Sequence, residues 1–445
     1  MTTCRTSSNG GRAYLVLLAM HVAYILFAGT SKGLGVLLPT LKEYFDTHTW
    51  LVGSIISFMM TIMDLSSLPA GVLSRRFPSR YIVVISGTSV AVGLCLASFA
   101  QTVFQFGACL GVLSGAGYGF TIITIEIELA RHFSRKYACA NGIATAGSSV
   151  GLFVMTPLVQ YLLDEYYWRG ALFIVGGLSL NMVVCGCLLP LHPPSSEDEG
   201  KDECQTEPSS SEPQDDLESV ADEDQESPGN LRRSGYGRLA KASGVTVFKE
   251  FPFFVSVTIT SCIRFVFSAW TIYFVPHAVD VGFTKIQAAL FVTITAVGNL
   301  VGKACHGPIV DRRLVTRRVM IGLSTAVTAV IFLLDSWMAT PAVMITACLV
   351  NGVALGVAGS MIQVFLRKVV GVERLAKSLG WTNVISAVVR IGAGFFPGWI
   401  YDQTMSYYLS FVMIGCVSAM CPILLIVEFF AYQRYRQGKY DLSFK

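Results

Sequence analysis

The chain has 445 residues, 53% of them hydrophobic and 14% charged, with a formal net charge of +4. A mean hydropathy of +0.57 excludes an ordinary soluble globule, and a basic excess confined to a few short loops excludes a nucleic-acid-binding surface. Twelve cysteines without paired CxxC or His spacing exclude a disulfide or metal framework and read as small apolar packing residues.

A 30 Å hydrocarbon core takes about 20 apolar residues per helix. The first six predicted spans are 13–39, 50–74, 81–100, 103–128, 138–163 and 171–191. The first is span-length and lacks a small-residue cleavage pattern, so it reads as a helix rather than a cleaved signal peptide. Between Ser195 and Asn230 the composition turns to Ser, Glu, Asp and Pro. That segment reads as a disordered tether whose serines are suited to phosphorylation. Six more spans follow at 253–279, 286–310, 319–334, 341–366, 376–400 and 405–432. The expected organisation is a tail at 1–12, a six-helix bundle at 13–191, an acidic loop at 192–250, a second bundle at 251–432 and a tail at 433–445.

Basic residues alternate along the loops. They gather at Arg75, Arg76 and Arg80, at Arg131, Arg135 and Lys136, at Arg312, Arg313, Arg317 and Arg318, and at Arg367, Lys368, Arg374 and Lys377. The intervening loops hold Lys42, Arg169 and Lys285. By the positive-inside rule the rich loops are cytoplasmic, and with an even helix count both termini are too. The predicted fold class is an all-α polytopic membrane protein with twelve transmembrane helices in two pseudo-symmetric six-helix bundles.

The two halves repeat a motif. Gly71 opens GVLSRRFPSR at the end of the second span, with Arg75 and Arg76 in its basic turn. Gly307 opens GPIVDRRLVTRR at the end of the eighth, with Asp311 and Arg312. This pairing resembles the cytoplasmic turn of the major facilitator superfamily, with Asp311 at the acidic position and Ser74 replacing the acid in the first copy. A second run, HFSRKYACANGIATAGSSVG, carries Arg135 and Lys136 and then Gly142, Gly147 and Gly151 at helical intervals. It resembles the fifth-helix signature of the monocarboxylate transporter family. Small residues at that spacing let helix backbones approach closely. The resemblance extends through WRGALFIVGGLSLN (168–181) and VVGVERLAKSLG, while the family's signature before the first helix is half present, at Asn9 to Tyr14.

Ionisable residues inside spans cost about 2.5–3.5 kcal/mol at a helix centre on insertion scales, so they mark cavities or partners. Lys32, Asp64, Arg264, Lys303 and Arg390 are the deep set, basic by four to one, which points to an anionic substrate. Asp64 is also suited to bridging one Arg. Glu126, Glu128 and Asp311 lie near span ends and are expected to be solvated.

The resemblance implies specific roles. Lys32 aligns with the first-helix basic residue that meets the substrate carboxylate. In the eighth span, proton-coupled relatives carry Asp and, four residues on, Arg. Here those positions are Asn299 and Lys303, so the positive centre survives and the carboxylate is an amide. His306, one turn on, belongs to the residue type that changes charge near neutral pH. Leu355 aligns with an aromatic residue that shapes substrate size, and Ser386 stands where relatives often carry an acid. Arg264 and Arg390 are further candidates for the cavity.

The reading that follows is a plasma-membrane secondary transporter of small organic anions, lactate-like or pyruvate-like, using no cofactor and no metal. It is not an enzyme, since no nucleophile–base set, phosphate-binding loop or metal cluster stands in the loops. A symported proton and a single-span immunoglobulin-like ancillary protein are the partners the resemblance implies beside substrate and bilayer. Lys303, His306 and Asp64 are the candidates for coupling. Two alternatives stay open: a proton-independent carrier of a larger carboxylate or zwitterion, and a non-transporting sensor or scaffold acting through the acidic loop.

Overall fold

The structure is a computed structural model that describes residues 9–133, 137–189, 251–311, 315–335, 340–370 and 372–442. The acidic loop therefore lies outside the described residues. Within them the chain is helical, with no strand. The helices of the first half are α1 (Asn9–Tyr44), α2 (Thr49–Leu65), α3 (Ser67–Arg76), α4 (Ser79–Ser98), α5 (Val103–Gly107), α6 (Gly115–His132), α7 (Tyr137–Ser179) and α8 (Asn181–Leu188). A π-helical turn at Ala108–Ser114 joins α5 to α6. The second half contains α9 (Phe251–Asp280), α10 (Lys285–Asp311), α11 (Arg317–Leu333), α12 (Pro341–Val370), α13 (Val372–Thr404) and α14 (Tyr408–Leu442).

Among the described residues, ten segments are long and apolar enough to cross a membrane. One of them, Ala140–Leu188, is 49 residues long and is broken at Tyr167, where φ is 58°. A left-handed residue ends the helical hydrogen-bond ladder and reverses the chain, so this segment supplies two crossings. The 17-residue α11 supplies the remaining one of twelve. Helix α1 starts at Asn9, inside the residues expected to form the tail.

Helix pairing repeats between the halves. In the first, α1 packs on α7, α2 on α6 and α4 on α8; in the second, α9 packs on α13, α10 on α12 and α11 on α14. Three seams join the halves: α2 with α13, α7 with α10, and α1 with α9. Apolar side chains such as Ile85, Phe104, Leu323 and Val388 face outward, as expected of a surface solvated by lipid rather than water.

Close backbone approach holds α1 to α7. A Cβ on Gly151 or Gly147 would collide with the carbonyl oxygens of Ile25 and His21, and backbone atoms cannot swing aside. Gly71 and Gly142 have nothing within 4 Å of an added Cβ. Gly151→Val is therefore expected to cost about 1–3 kcal/mol or more through overpacking. Gly71→Ala, at an open helical position, should be neutral or stabilising by up to about 1 kcal/mol. Thermal melts of the two variants in detergent check this pair of opposite signs.

Candidate functional site

Charged and polar side chains collect in the three seams between the halves. In the α1–α9 seam, Lys32 has 0% of its surface exposed. Its Nζ donates to the Trp270 carbonyl at 3.1 Å. It lies 4.2 Å from the centroid of the Trp270 ring and 5.3 Å from that of Phe274. No carboxylate lies within ion-pair distance of it among the described residues. An ammonium has three donors, and one carbonyl with two ring faces compensates little of what burying its charge costs. The Oγ of the adjoining Ser31 and the Nε1 of Trp270 itself are buried without a hydrogen-bond partner among the described residues. The seam thus holds an uncompensated cation flanked by unused polar atoms.

The α7–α10 seam holds the second cation. Lys303 Nζ donates to Ser148 Oγ at 2.6 Å, to the Thr145 carbonyl at 3.2 Å and to Ser149 Oγ at 3.4 Å. Ser149 in turn donates to Asn299 Oδ1 at 2.8 Å. Asn299 and Lys303 share one helix face, as their spacing requires, and that face meets neutral hydroxyls and a carbonyl. His306 bonds through Nδ1 to the Gly302 carbonyl of its own helix at 3.2 Å.

The third seam gathers α2, α9 and α13. Asp64 forms ion pairs with Arg390 at 2.9 Å and with Arg264 at 3.4 Å. Asp64 therefore bridges both guanidinium groups, one more than the sequence suggested. Arg264 also donates to Asn383 Oδ1 at 2.7 Å, and Asn383 donates to Ser67 Oγ at 3.3 Å. Arg390 donates to the Met60 carbonyl at 3.4 Å, Thr61 donates to the Ala387 carbonyl at 3.2 Å, and Ser57 donates to the Arg390 carbonyl. Ser386, in the same helix, bonds Ser261 at 3.1 Å.

The expected site residues thus fall into separate groups. Lys32 stands against α9, Lys303 against α7, and Asp64, Arg264 and Arg390 form one cluster. Leu355 borders a small cavity inside the second half, beside Ile263, Val266, Thr325 and Thr328, while its neighbour Gly356 packs on the backbone of Asn299. Glu128 corrects an expectation. It is buried, accepting from Ser79 at 2.5 Å and from Arg131 at 2.8 Å, because α4 and α6 close over it where a solvated carboxylate was expected. Of the basic-turn residues, Arg76 is exposed. Arg135, Lys136 and Arg312, with the side chains of Arg75 and Asp311, lie outside the described residues.

The end opposite the basic loops carries contacts between the two halves. Lys42 pairs with Asp402 at 3.6 Å and lies 5.0 Å from the Tyr401 ring centroid, and the Trp50 backbone N–H donates to Asp402 at 3.2 Å. Tyr273 donates to the Gly394 carbonyl. Trp270, Phe274, Ser148, Ser149 and Asn383 carry no signal in an apolar or hydroxyl-rich sequence, and only packing identifies them.

Two repeated six-helix halves with cations buried in the seams between them define a polytopic carrier. The sequence profile of the Major Facilitator Superfamily matches residues 20–394 and 259–442, and the chain belongs to that superfamily, a group of transporters rather than enzymes. It is similar to monocarboxylate transporter 12 of Rattus norvegicus, 27% identical, covering 94% of this chain and 85% of that one. It is 25% identical to monocarboxylate transporter 13 of Bos taurus over 98% of this chain and 94% of that one. It is 24% identical to monocarboxylate transporter 2 of Homo sapiens over 94% and 86%. Among solved structures, a POT family transporter in complex with a thioalcohol-conjugated peptide shares the fold, with a TM-score of 0.67 and 12% identity over 95% of this chain and 96% of that one.

Proposed function

We propose that this chain carries small organic monoanions of the lactate and pyruvate class across the plasma membrane by alternating access of two bundles, 13–191 and 251–432. The observation that carries the reading is Lys32, buried with no carboxylate in reach among the described residues. A cation so placed attracts the one group the protein does not supply, a substrate carboxylate. The apolar faces of Trp270 and Phe274 suit a short alkyl chain. Lys303, about 12 Å from the Asp311 end of α10 at 1.5 Å per residue, is the next cationic station toward the basic loops. These loops, both termini and the tether 192–250 face the cytoplasm. The names of the relatives support the monocarboxylate class, and a single-span immunoglobulin-like protein is the ancillary partner the family resemblance implies.

Asn299 favours a second reading. An amide cannot take up a proton, so a proton-independent carrier of a larger carboxylate or zwitterion fits the eighth span. Uptake of labelled lactate, pyruvate and bulkier carboxylates at external pH 6 and 7.5, with cytoplasmic pH recorded, separates the two. Lactate uptake with matched acidification is expected. Lys303→Ala should reduce it by about 10-fold or more, the worth of a charge-assisted hydrogen bond. Uptake without acidification selects the second reading, and no carboxylate uptake points to a non-transporting sensor.

A further inference from the structure

His277 and Asp335 form a buried pair that plays no part in the three seams. His277 Nε2 lies 2.9 Å from Asp335 Oδ1, with the two side chains 2% and 5% exposed. The imidazole stacks on Phe411 at 4.1 Å between centroids. Its second nitrogen, Nδ1, is buried without a hydrogen-bond partner among the described residues. A buried ion pair is weak evidence for stability, and an unused ring nitrogen adds a further cost, so packing alone does not account for the arrangement.

Position links the pair to Lys32. Trp270, Phe274 and His277 follow one another at intervals of four and three residues, on one face of α9. The face that flanks the ammonium therefore runs on to the imidazole, about 10 Å further along the axis. A small cavity lined by Phe274, Cys348, Asn351 and Asp335 lies along the same face. The Oδ1 of Asn351 is buried and has no hydrogen-bond partner among the described residues. One turn beyond His277 the α9 helix ends at Asp280, which is exposed and accepts from the Tyr407 backbone N–H at 3.4 Å.

Tyr273 lies one turn back on α9, and Tyr407 approaches His277 at 6.3 Å between centroids. Tyr401 stacks on Tyr407 at 4.1 Å, and Asp402 pairs with Lys42. Cys348 faces from α12 and Lys32 from α1. Histidine is the one side chain among these whose ordinary range lies between pH 5 and 8.

We infer that the His277–Asp335 pair is the proton-binding element of this carrier, doing from α9 and the turn just past α11 what the amide at Asn299 cannot do from α10. With a neutral imidazole the pair carries one negative charge on the Lys32 face of α9. A proton arriving past Asp280 adds to the Nδ1 lone pair, Nε2–H remains on Asp335, and the pair becomes neutral overall. Lys32 is then the unopposed charge on that face and binds the substrate carboxylate. Anion and proton load together without either touching the other. The inference rests on the carboxylate reading above.

The test uses the full chain in proteoliposomes with a trapped pH dye and labelled lactate. Wild-type protein is expected to move about one proton per lactate, the charge-neutral ratio for a monoanion. In His277→Gln and in Asp335→Asn that ratio should fall toward zero, and the pH 6 to pH 7.5 uptake ratio should fall toward one. Variants that keep the wild-type ratio overturn the inference. So does a wild-type protein that moves lactate with no proton, although the carboxylate reading then stands. A wild-type protein that moves no carboxylate overturns that reading and the inference with it. Should the variants fail to reach the membrane, the imidazole 15N resonances of the wild-type protein in nanodiscs decide. His277 must gain a proton between pH 8 and 5.5, and lactate must move that transition upward; a ring that does not titrate overturns the inference.

Discussion

Lys32→Met is expected to reduce uptake at low substrate by about 10-fold or more while leaving the protein as stable as the wild type or more so. The methionine keeps the unbranched apolar stem of the lysine, one atom shorter, and removes its charge. If the ammonium meets the substrate carboxylate, losing that charge-assisted bond costs about 1.5–3 kcal/mol, or about 10- to 150-fold in affinity. Stability should move the other way. Lys32 is fully buried with one carbonyl acceptor and two ring faces as its surroundings, and replacing a poorly compensated buried charge by an apolar side chain of similar volume is neutral or stabilising by about 1–4 kcal/mol. A thermal melt and a lactate uptake assay on the same preparation check both signs. A destabilised Lys32→Met protein would mean that the ammonium is a structural tie to α9, and full uptake would remove it from the binding site.

The second large effect concerns Asp64. Asp64→Asn leaves Arg390 and Arg264 facing a neutral amide from 2.9 and 3.4 Å. Breaking a buried ion pair from one side costs about 3–5 kcal/mol, because the remaining charge stays buried and unpaired. Arg390 is the more enclosed partner, its side chain 9% exposed against 25% for Arg264, so most of the cost arises there. The double variant Asp64→Asn with Arg390→Leu should recover stability relative to Asp64→Asn alone. A double-mutant cycle on melting free energies gives the coupling, and additive losses would show that the pair contributes nothing of its own. Because the cluster ties α2 to α9 and α13 across the two halves, the same variant should also weaken the conformation in which these halves meet.

Much of this protein is written in the order of its residues. The number and length of apolar runs, the alternation of basic loops and the repeated turns at Gly71 and Gly307 identify a polytopic superfamily member, because bilayer thickness and charge act on each span locally. The five ionisable residues deep in spans were visible for the same reason: each stands out against its own apolar neighbours. Gly147 and Gly151 were legible as a close-packing face through their helical spacing, and α1 meets that face. His277 is a polar residue in an apolar run too, whereas Asp335 lies past residue 334, the expected end of the ninth span, as it lies past Leu333, the end of α11.

Pairing belongs to the tertiary structure alone. Nothing in the spacing of Lys32 and Lys303 separates them into different seams, and nothing in Asp64 says that it meets two arginines rather than one. Lys32 faces aromatic rings and Lys303 faces serine hydroxyls because α9 and α7 lie against the helices that carry them. Which cation keeps a counter-charge and which stays open to a substrate depends on contacts between helices far apart in the chain, and a local sequence signal carries no information about those.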